Sequence, residues 1–202
     1  MTASQSAASN AAAHWFTNPQ WLHWGYLAGF FTCVGLMAAA YYFEYVLYLD
    51  PCPLCMAQRL GTVLIGVGFL SAFISRHYDW PLLFSLLFTL AAALFSVWVA
   101  DHQIWMQGLP AEEVPACGPS MDYLMETLPL TELLSVMLNG DGNCAEIVWS
   151  LWGMSMPQWT RICFAAFALA AGYALFHVIR RMRQARLGCH LRTERHPFAT
   201  KG

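Results

Sequence analysis

The sequence predicts an all-α membrane protein: a four-transmembrane-helix bundle with one long loop that carries a short amphipathic helix. Three observations predict it. The 202 residues are 58% hydrophobic and only 11% charged, a balance that suits a bilayer better than a soluble domain. Four apolar runs are each long enough to cross a hydrocarbon core of about 30 Å. Lysine and arginine are absent from residues 101–158 and crowd the C-terminal end, which orients the spans.

Residues 1–20 are rich in Ala, Ser and Asn and lack the basic start and compact apolar core of a signal peptide. They are expected to form a flexible cytoplasmic tail. The transmembrane domain is expected over residues 21–180, with spans at about 24–49, 56–75, 80–100 and 159–179. Lipid leaves the backbone no water to bond, so the spans must be helices. Trp and Tyr gather near their ends, as in interfacial belts (Trp24, Tyr48, Tyr78, Trp80, Trp98, Trp105 and Trp159). Small residues in the first span, Gly25, Ala28, Gly29 and Gly35, suit close helix contacts, and Cys33 reads as a small buried hydrophobe.

Charge sets the orientation. The segment 181–202, with Arg181, Arg183, Arg186, Arg192, Arg195 and Lys201 against Glu194, is expected as a basic cytoplasmic tail. The loop 101–158, which carries acids and no bases, belongs outside, and Arg76 in the short second turn agrees with that topology. Three polar residues near the outer end attract interest. Glu44 is either an interfacial acid reaching water, a partner for Arg59, or a hydrogen-bonding group for a ligand. His102, beside Asp101, is either solvated or available to a ligand carbonyl and to proton transfer. Arg161 is a charge where the fourth span predicts an apolar residue.

The chain is organised around Asp50-Pro51-Cys52-Pro53-Leu54-Cys55, with Arg59 four residues on. A Cys-x-x-Cys pair alone fits a zinc half-site, a redox pair or a structural staple. Pro53 suits a first helical position, since the N–H it lacks is not needed there. Cys52 then caps the helix and Cys55 falls in its first turn, where the helix dipole favours a thiolate. Arg59 shares the Cys55 face and adds a fixed positive charge. A second pair, Cys117 and Cys144, lies in turn-rich stretches of the outer loop. A bridge between them closes about 28 residues, worth roughly 3.6 kcal/mol as a plain staple on the chain-entropy model. Between them Leu128, Leu130, Leu133, Leu134, Met137 and Leu138 predict a short amphipathic helix at the membrane surface. Cys163 and Cys189 have no evident partner.

Four spans, Pro51-Cys52-Pro53-Leu54-Cys55 with Arg59, Asn143-Cys144-Ala145-Glu146, and Met156-Pro157-Gln158-Trp159 before the last span closely resemble the bacterial DsbB family. The resemblance covers about residues 22–178. It implies a bacterial inner-membrane thiol oxidase with both termini cytoplasmic and its redox loops periplasmic. Such an enzyme re-oxidises a DsbA-like thioredoxin-fold partner in the periplasm and passes electrons to ubiquinone, or menaquinone under low oxygen. The resemblance also implies roles. Cys117 receives the partner's attack, Cys144 resolves it or passes oxidation inward, and Cys52 exchanges with the loop pair. Cys55 faces the quinone with Arg59, and His102 and Glu44 lie near the quinone. The bilayer is a further partner, and nucleic acid is not. DsbA is strongly oxidising, near −120 mV, so a dithiol poised near −220 mV would oxidise it uphill by about 4.6 kcal/mol. A quinone acceptor removes that difficulty. Three rivals compete with this reading. One is a tetraspan protein with two static disulfides. Another is a reductase of the vitamin K epoxide type, whose Cys-x-x-Cys is expected on a different helix. The last is a metal site, for which two thiolates without nearby histidines are a poor set.

Overall fold

The computed structural model describes residues 19–110, 112–119 and 121–195; side chains are described from Leu22 to Gln184, except at 111 and 120–122. Most of the expected N-terminal tail, the last seven residues and the surroundings of Cys189 therefore lie outside the described residues. Four long helices dominate: α1 (Pro19–Tyr45), α2 (Pro53–Ile74), α3 (Asp79–Gln107) and α6 (Met156–Arg195). Each includes a stretch long and apolar enough to cross a membrane. Two short helices, α4 (Met121–Thr127) and α5 (Leu130–Asn139), lie in the long loop. A two-strand hairpin follows, pairing Ser150 with Ser155 and Leu151 with Met154.

Local chemistry explains the helix ends. Pro53 opens α2 and Cys52 caps it, with the Cys55 N–H donating to Cys52 Sγ at 3.4 Å. The 3-10 turn Ser75–His77 makes the short α2–α3 connection. The hairpin turn places Trp152 and Gly153 at φ 54° and 78°. Positive φ at both central residues matches the twist of a two-residue hairpin, and Gly153 takes the second position without cost. Alternation is too short there to announce a strand, so the sequence reading has no hairpin.

α1 packs on α2, α2 on α3, and α3 on α6. The main core is apolar and includes Ile65, Phe69, Leu86, Phe164 and Phe167, with the Phe69 and Phe167 rings 5.7 Å apart, edge to face. The α2–α3 seam is closer still. A Cβ at Gly61 would fall on Ser96 Oγ, and one at Gly68 on Thr89 Oγ1 and within 3.2 Å of Thr89 Cα. The two hydroxyls bond back to Ala92 O and Ser85 O, each at 2.8 Å, so the polar groups at this seam are satisfied.

A smaller second core includes Cys52, Leu54, Ala57, Val99, Met106 and Cys144, with Met137 of α5 against it. It fastens the loop to the ends of α2 and α3. Trp149 adds a contact on α1, its ring 5.3 Å from that of Phe43. Arg161, unexplained in the sequence, bonds through Nε to Asp101 Oδ1 at 2.9 Å and so links α6 to α3. Both side chains are about half exposed, so the pair contributes at most about 1 kcal/mol.

The α2–α3 seam supplies a test. Gly68→Leu should lower stability by about 1–3 kcal/mol, because Thr89 backbone blocks the added side chain. Thermal unfolding of the detergent-solubilised protein measures this, with the lipid-facing Val67→Leu as the near-neutral control.

Candidate functional site

Four cysteines gather at one end of the bundle with a gradient of exposure. Cys117 is exposed, Cys144 is fully buried, Cys52 is 8% exposed and Cys55 is half-buried. All four are thiols in this structure. Cys52 Sγ lies 2.8 Å from Cys55 Sγ. On its other side Cys52 meets Cys144 inside the second core. Hydrogen bonding to Cys144, then to Cys55, together with burial, pushes the Cys52 thiol far above its usual range. The same bond from Cys52 lowers Cys144 below the usual thiol range, against the opposing effect of burial. Cys144 is thus the more thiolate-like of the two and Cys52 the proton holder.

The loop that carries Cys117 and Cys144 is tied by Asp141. Its carboxylate accepts from Asn143 N at 3.1 Å, Asn143 Nδ2 at 3.0 Å and Gly118 N at 3.3 Å. Gly142 N donates to Ala116 O at 3.2 Å. These bonds join residues 116–118 to residues 141–143 and bring the Cys117 stretch alongside the Cys144 turn. At Gly142 a Cβ would meet Pro115 O and lie 3.1 Å from Cys117 Sγ, so the two stretches touch closely. An Asp two residues before an Asn, at the start of a 3-10 turn, is the sequence signal that could have revealed this tie.

Beneath the sulfurs runs a chain of buried amides that the sequence reading missed. Thr160 Oγ1 donates to Gln58 Oε1 at 2.6 Å, and Gln58 Nε2 donates to Gln103 Oε1 at 2.6 Å. Gln103 Nε2 then donates to Cys52 Sγ at 3.4 Å and Cys55 Sγ at 3.5 Å. The chain crosses from α6 through α2 to α3, with its donors aimed toward the cysteines. A glutamine inside an apolar span is costly unless paired, and that cost was the available signal.

His102 lies to one side of the cysteines. Its ring stacks between Trp98 and Trp105, with centroids 5.9 and 5.6 Å away, and its Nε2 lies 3.1 Å from Asn139 O. It lines neither cavity at the cysteine end. Successive helical residues are turned by about 100°, so the face toward the cysteines passes from His102 to Gln103.

Two cavities flank Cys55. One, of about 120 Å³, opens between α1, α2 and α6 and is mostly apolar; Met37, Phe43, Pro157 and Phe164 meet Cys55, Arg59, Gln58 and Gln103 there. The other, of about 460 Å³, has a mixed polar and apolar lining and lies between the loop and the α2 mouth; Glu44, Asp50, Asn143 and Glu146 share it with Cys52 and Cys55. Arg59 bonds to Glu44 across α1 and α2, and its second nitrogen donates to Ala40 O at 3.3 Å. The guanidinium also lies 5.6 Å from the centre of the Tyr41 ring. Of the alternatives for Glu44, the ion pair with Arg59 is therefore present. Glu44 borders the mixed cavity and not the apolar one.

Residues 23–174 match the family model described as disulfide bond formation protein DsbB. The chain is 40% identical over 149 residues to disulfide bond formation protein B of Hahella chejuensis, covering 74% of this chain and 90% of the relative. It is 43% identical over 152 residues to that of Marinobacter nauticus, covering 75% and 89%. It is 43% identical over 162 residues to that of Chromohalobacter salexigens, covering 79% and 93%.

The burial gradient predicts an order of modification in the reduced protein. A water-soluble maleimide should label Cys117 first and Cys144 last among the loop thiols. Asp141→Ala should speed Cys144 labelling by about tenfold, since losing a buried hydrogen-bonding anchor costs about 1–1.5 kcal/mol of loop closure. Timed labelling with mass spectrometry reads both.

Proposed function

The chain belongs to the DsbB family of disulfide bond formation proteins, and from that premise we propose that it is an inner-membrane protein-dithiol:quinone oxidoreductase. It re-oxidises a periplasmic DsbA-like dithiol partner, its loops facing the periplasm and both termini the cytoplasm. The observation that carries the reading is the order of the sulfurs. An exposed Cys117 leads to a buried Cys144, which touches Cys52, which touches Cys55 at the wall of an apolar cavity.

The steps follow from that order. A thiolate of the partner attacks Cys117 of a Cys117–Cys144 disulfide, and Cys144 leaves as a thiolate. The partner's second thiol displaces Cys117, and the partner departs oxidised. Two electrons and two protons now reside on the loop pair. Cys144, the more thiolate-like, attacks Cys52 of a Cys52–Cys55 disulfide, and Cys55 leaves as a thiolate. Cys117 then attacks Cys144, which restores the loop disulfide and leaves Cys52 protonated. Gln103 donates to the Cys55 sulfur, and Gln58 and Thr160 hold the Gln103 amide in that orientation. Arg59, held by Glu44, adds positive charge at the cavity wall. A quinone in the apolar cavity, ubiquinone or menaquinone, supplies the downhill acceptor of two electrons and two protons.

The decisive assay mixes purified protein with a reduced DsbA-like partner and a soluble ubiquinone analogue, and follows quinone absorbance. Wild type should turn over, and Cys55→Ser should not. A reduced partner lacking its second cysteine should instead accumulate a mixed disulfide with Cys117, Cys144 leaving as the thiolate and nothing remaining to displace Cys117 from the partner. A wild type that never turns over, with both cysteine pairs locked as disulfides, would move the protein to the static-staple class.

The same assay separates two neighbouring residues. Gln103→Leu should lower turnover about tenfold or more, because a hydrogen bond to a charged group is worth about 1.5–3 kcal/mol. His102→Ala should stay within about twofold of wild type. The reverse ranking would return His102 to the acceptor site.

A further inference from the structure

At the end of the bundle opposite the cysteines, a cavity of about 580 Å³ opens between the start of α1 and the end of α2. Its volume lies within the range of pockets that hold small molecules, about 300–1,000 Å³. Its wall is divided by chemistry. Trp24, Leu27 and Phe73 form an apolar side, and His23, Arg76 and His77 form a small polar rim whose fixed charge is on Arg76. Trp24 is 71% exposed, as an interfacial aromatic is. None of these residues takes part in the thiol chemistry.

Arg76 is held in place but not neutralised. Its guanidinium lies 4.6 Å from the centre of the Phe73 ring, and its Nε donates to His77 Nε2 at 3.0 Å. Both contacts use the inner part of the group and leave the outer nitrogens of the fork without an acidic partner. Among the described residues no carboxylate lies within ion-pair distance of Arg76, nor of Arg180 or Arg183, whereas Arg59, Arg161 and Arg181 each have one. Asp79, three residues away, bonds to Arg181 on α6. Arg76 is therefore a preoriented fork with spare donors, beside two imidazoles and above an apolar wall.

We propose that this cavity binds one anionic phospholipid, with the phosphate on Arg76, His77 and His23 and an acyl chain along Trp24, Leu27 and Phe73. A guanidinium fork matches phosphate oxygens, and the apolar wall matches a hydrocarbon chain. A free phosphate would use the rim and leave the wall empty; a neutral lipid would use the wall and leave the charge unmatched. An anionic phospholipid uses both. In the topology proposed above the site lies in the cytoplasmic leaflet, where basic groups meet anionic headgroups. The proposal needs the membrane orientation but not the thiol chemistry, so Cys55→Ser should bind the lipid as wild type does.

The test reconstitutes the full chain in nanodiscs of phosphatidylcholine with a minor share of phosphatidylglycerol, then counts retained lipid by native mass spectrometry. Wild type should retain one phosphatidylglycerol in preference to phosphatidylcholine. Arg76→Gln should reduce that retention about fivefold, the loss of one headgroup contact. Leu27→Trp, which blocks the wall and leaves the charge in place, should reduce it as well. Arg183→Gln, on the exposed end of α6, should not, and excess inorganic phosphate should not displace the lipid. Equal retention by wild type and Arg76→Gln would overturn the site. Equal losses in the Arg76 and Arg183 variants would mean diffuse attraction in its place, and displacement by phosphate would mean a soluble anion.

Discussion

A polar group inside an apolar bundle must find its partner within the protein, because neither lipid nor core side chains can supply one. The reactive end of this molecule depends on that constraint. Gln58, Gln103 and Thr160 satisfy one another across three helices and turn the remaining amide donors toward the cysteine sulfurs. Arg59 and Glu44 bring in the fourth helix, α1, by bonding across α1 and α2. The same bonds that settle these groups hold the helices at the spacing that leaves the apolar cavity beside Cys55. Break the chain of partners and the bundle loses both its register and the environment of its reactive sulfur.

The loop extends this logic beyond the bundle. Asp141 gathers two distant stretches of loop through its carboxylate, and the second core seats the result on α2 and α3. Cys144 thereby becomes buried while Cys117 stays open. A reaction that starts in solvent and ends in a membrane needs such a gradient, since each exchange requires access for one sulfur and exclusion of competing thiols for the next. The hydrogen bond between Cys52 and Cys144 moves their protonation tendencies apart, raising Cys52 and lowering Cys144, while burial raises both.

Much of this was legible in the sequence, and the failures have a common cause. Four helices of bilayer length and the Pro53 start of α2 follow from composition and proline chemistry. Gln103 was passed over beside His102 because a one-residue step along a helix changes its face, and apolar periodicity is weak where α3 is flanked on several sides. Arg161 looked anomalous because its partner, Asp101, lies on another helix, 60 residues earlier in the chain. Trp152 and Gly153 make a hairpin too short for alternation to reveal.

The sequence by itself determined the class of this protein: four apolar runs of bilayer length and a Cys-Pro-Leu-Cys stretch at a helix mouth. Those features are local or cumulative, so they survive being read one segment at a time. The tertiary structure alone decided that Gln103 rather than His102 faces the sulfurs, that Glu44 is bonded to Arg59, and that Cys144 lies against Cys52. Each of these is a pairing between distant residues, fixed by helix rotation and loop closure. Rotation and closure are set by the energy of satisfying every buried polar group at once, which no single segment contains.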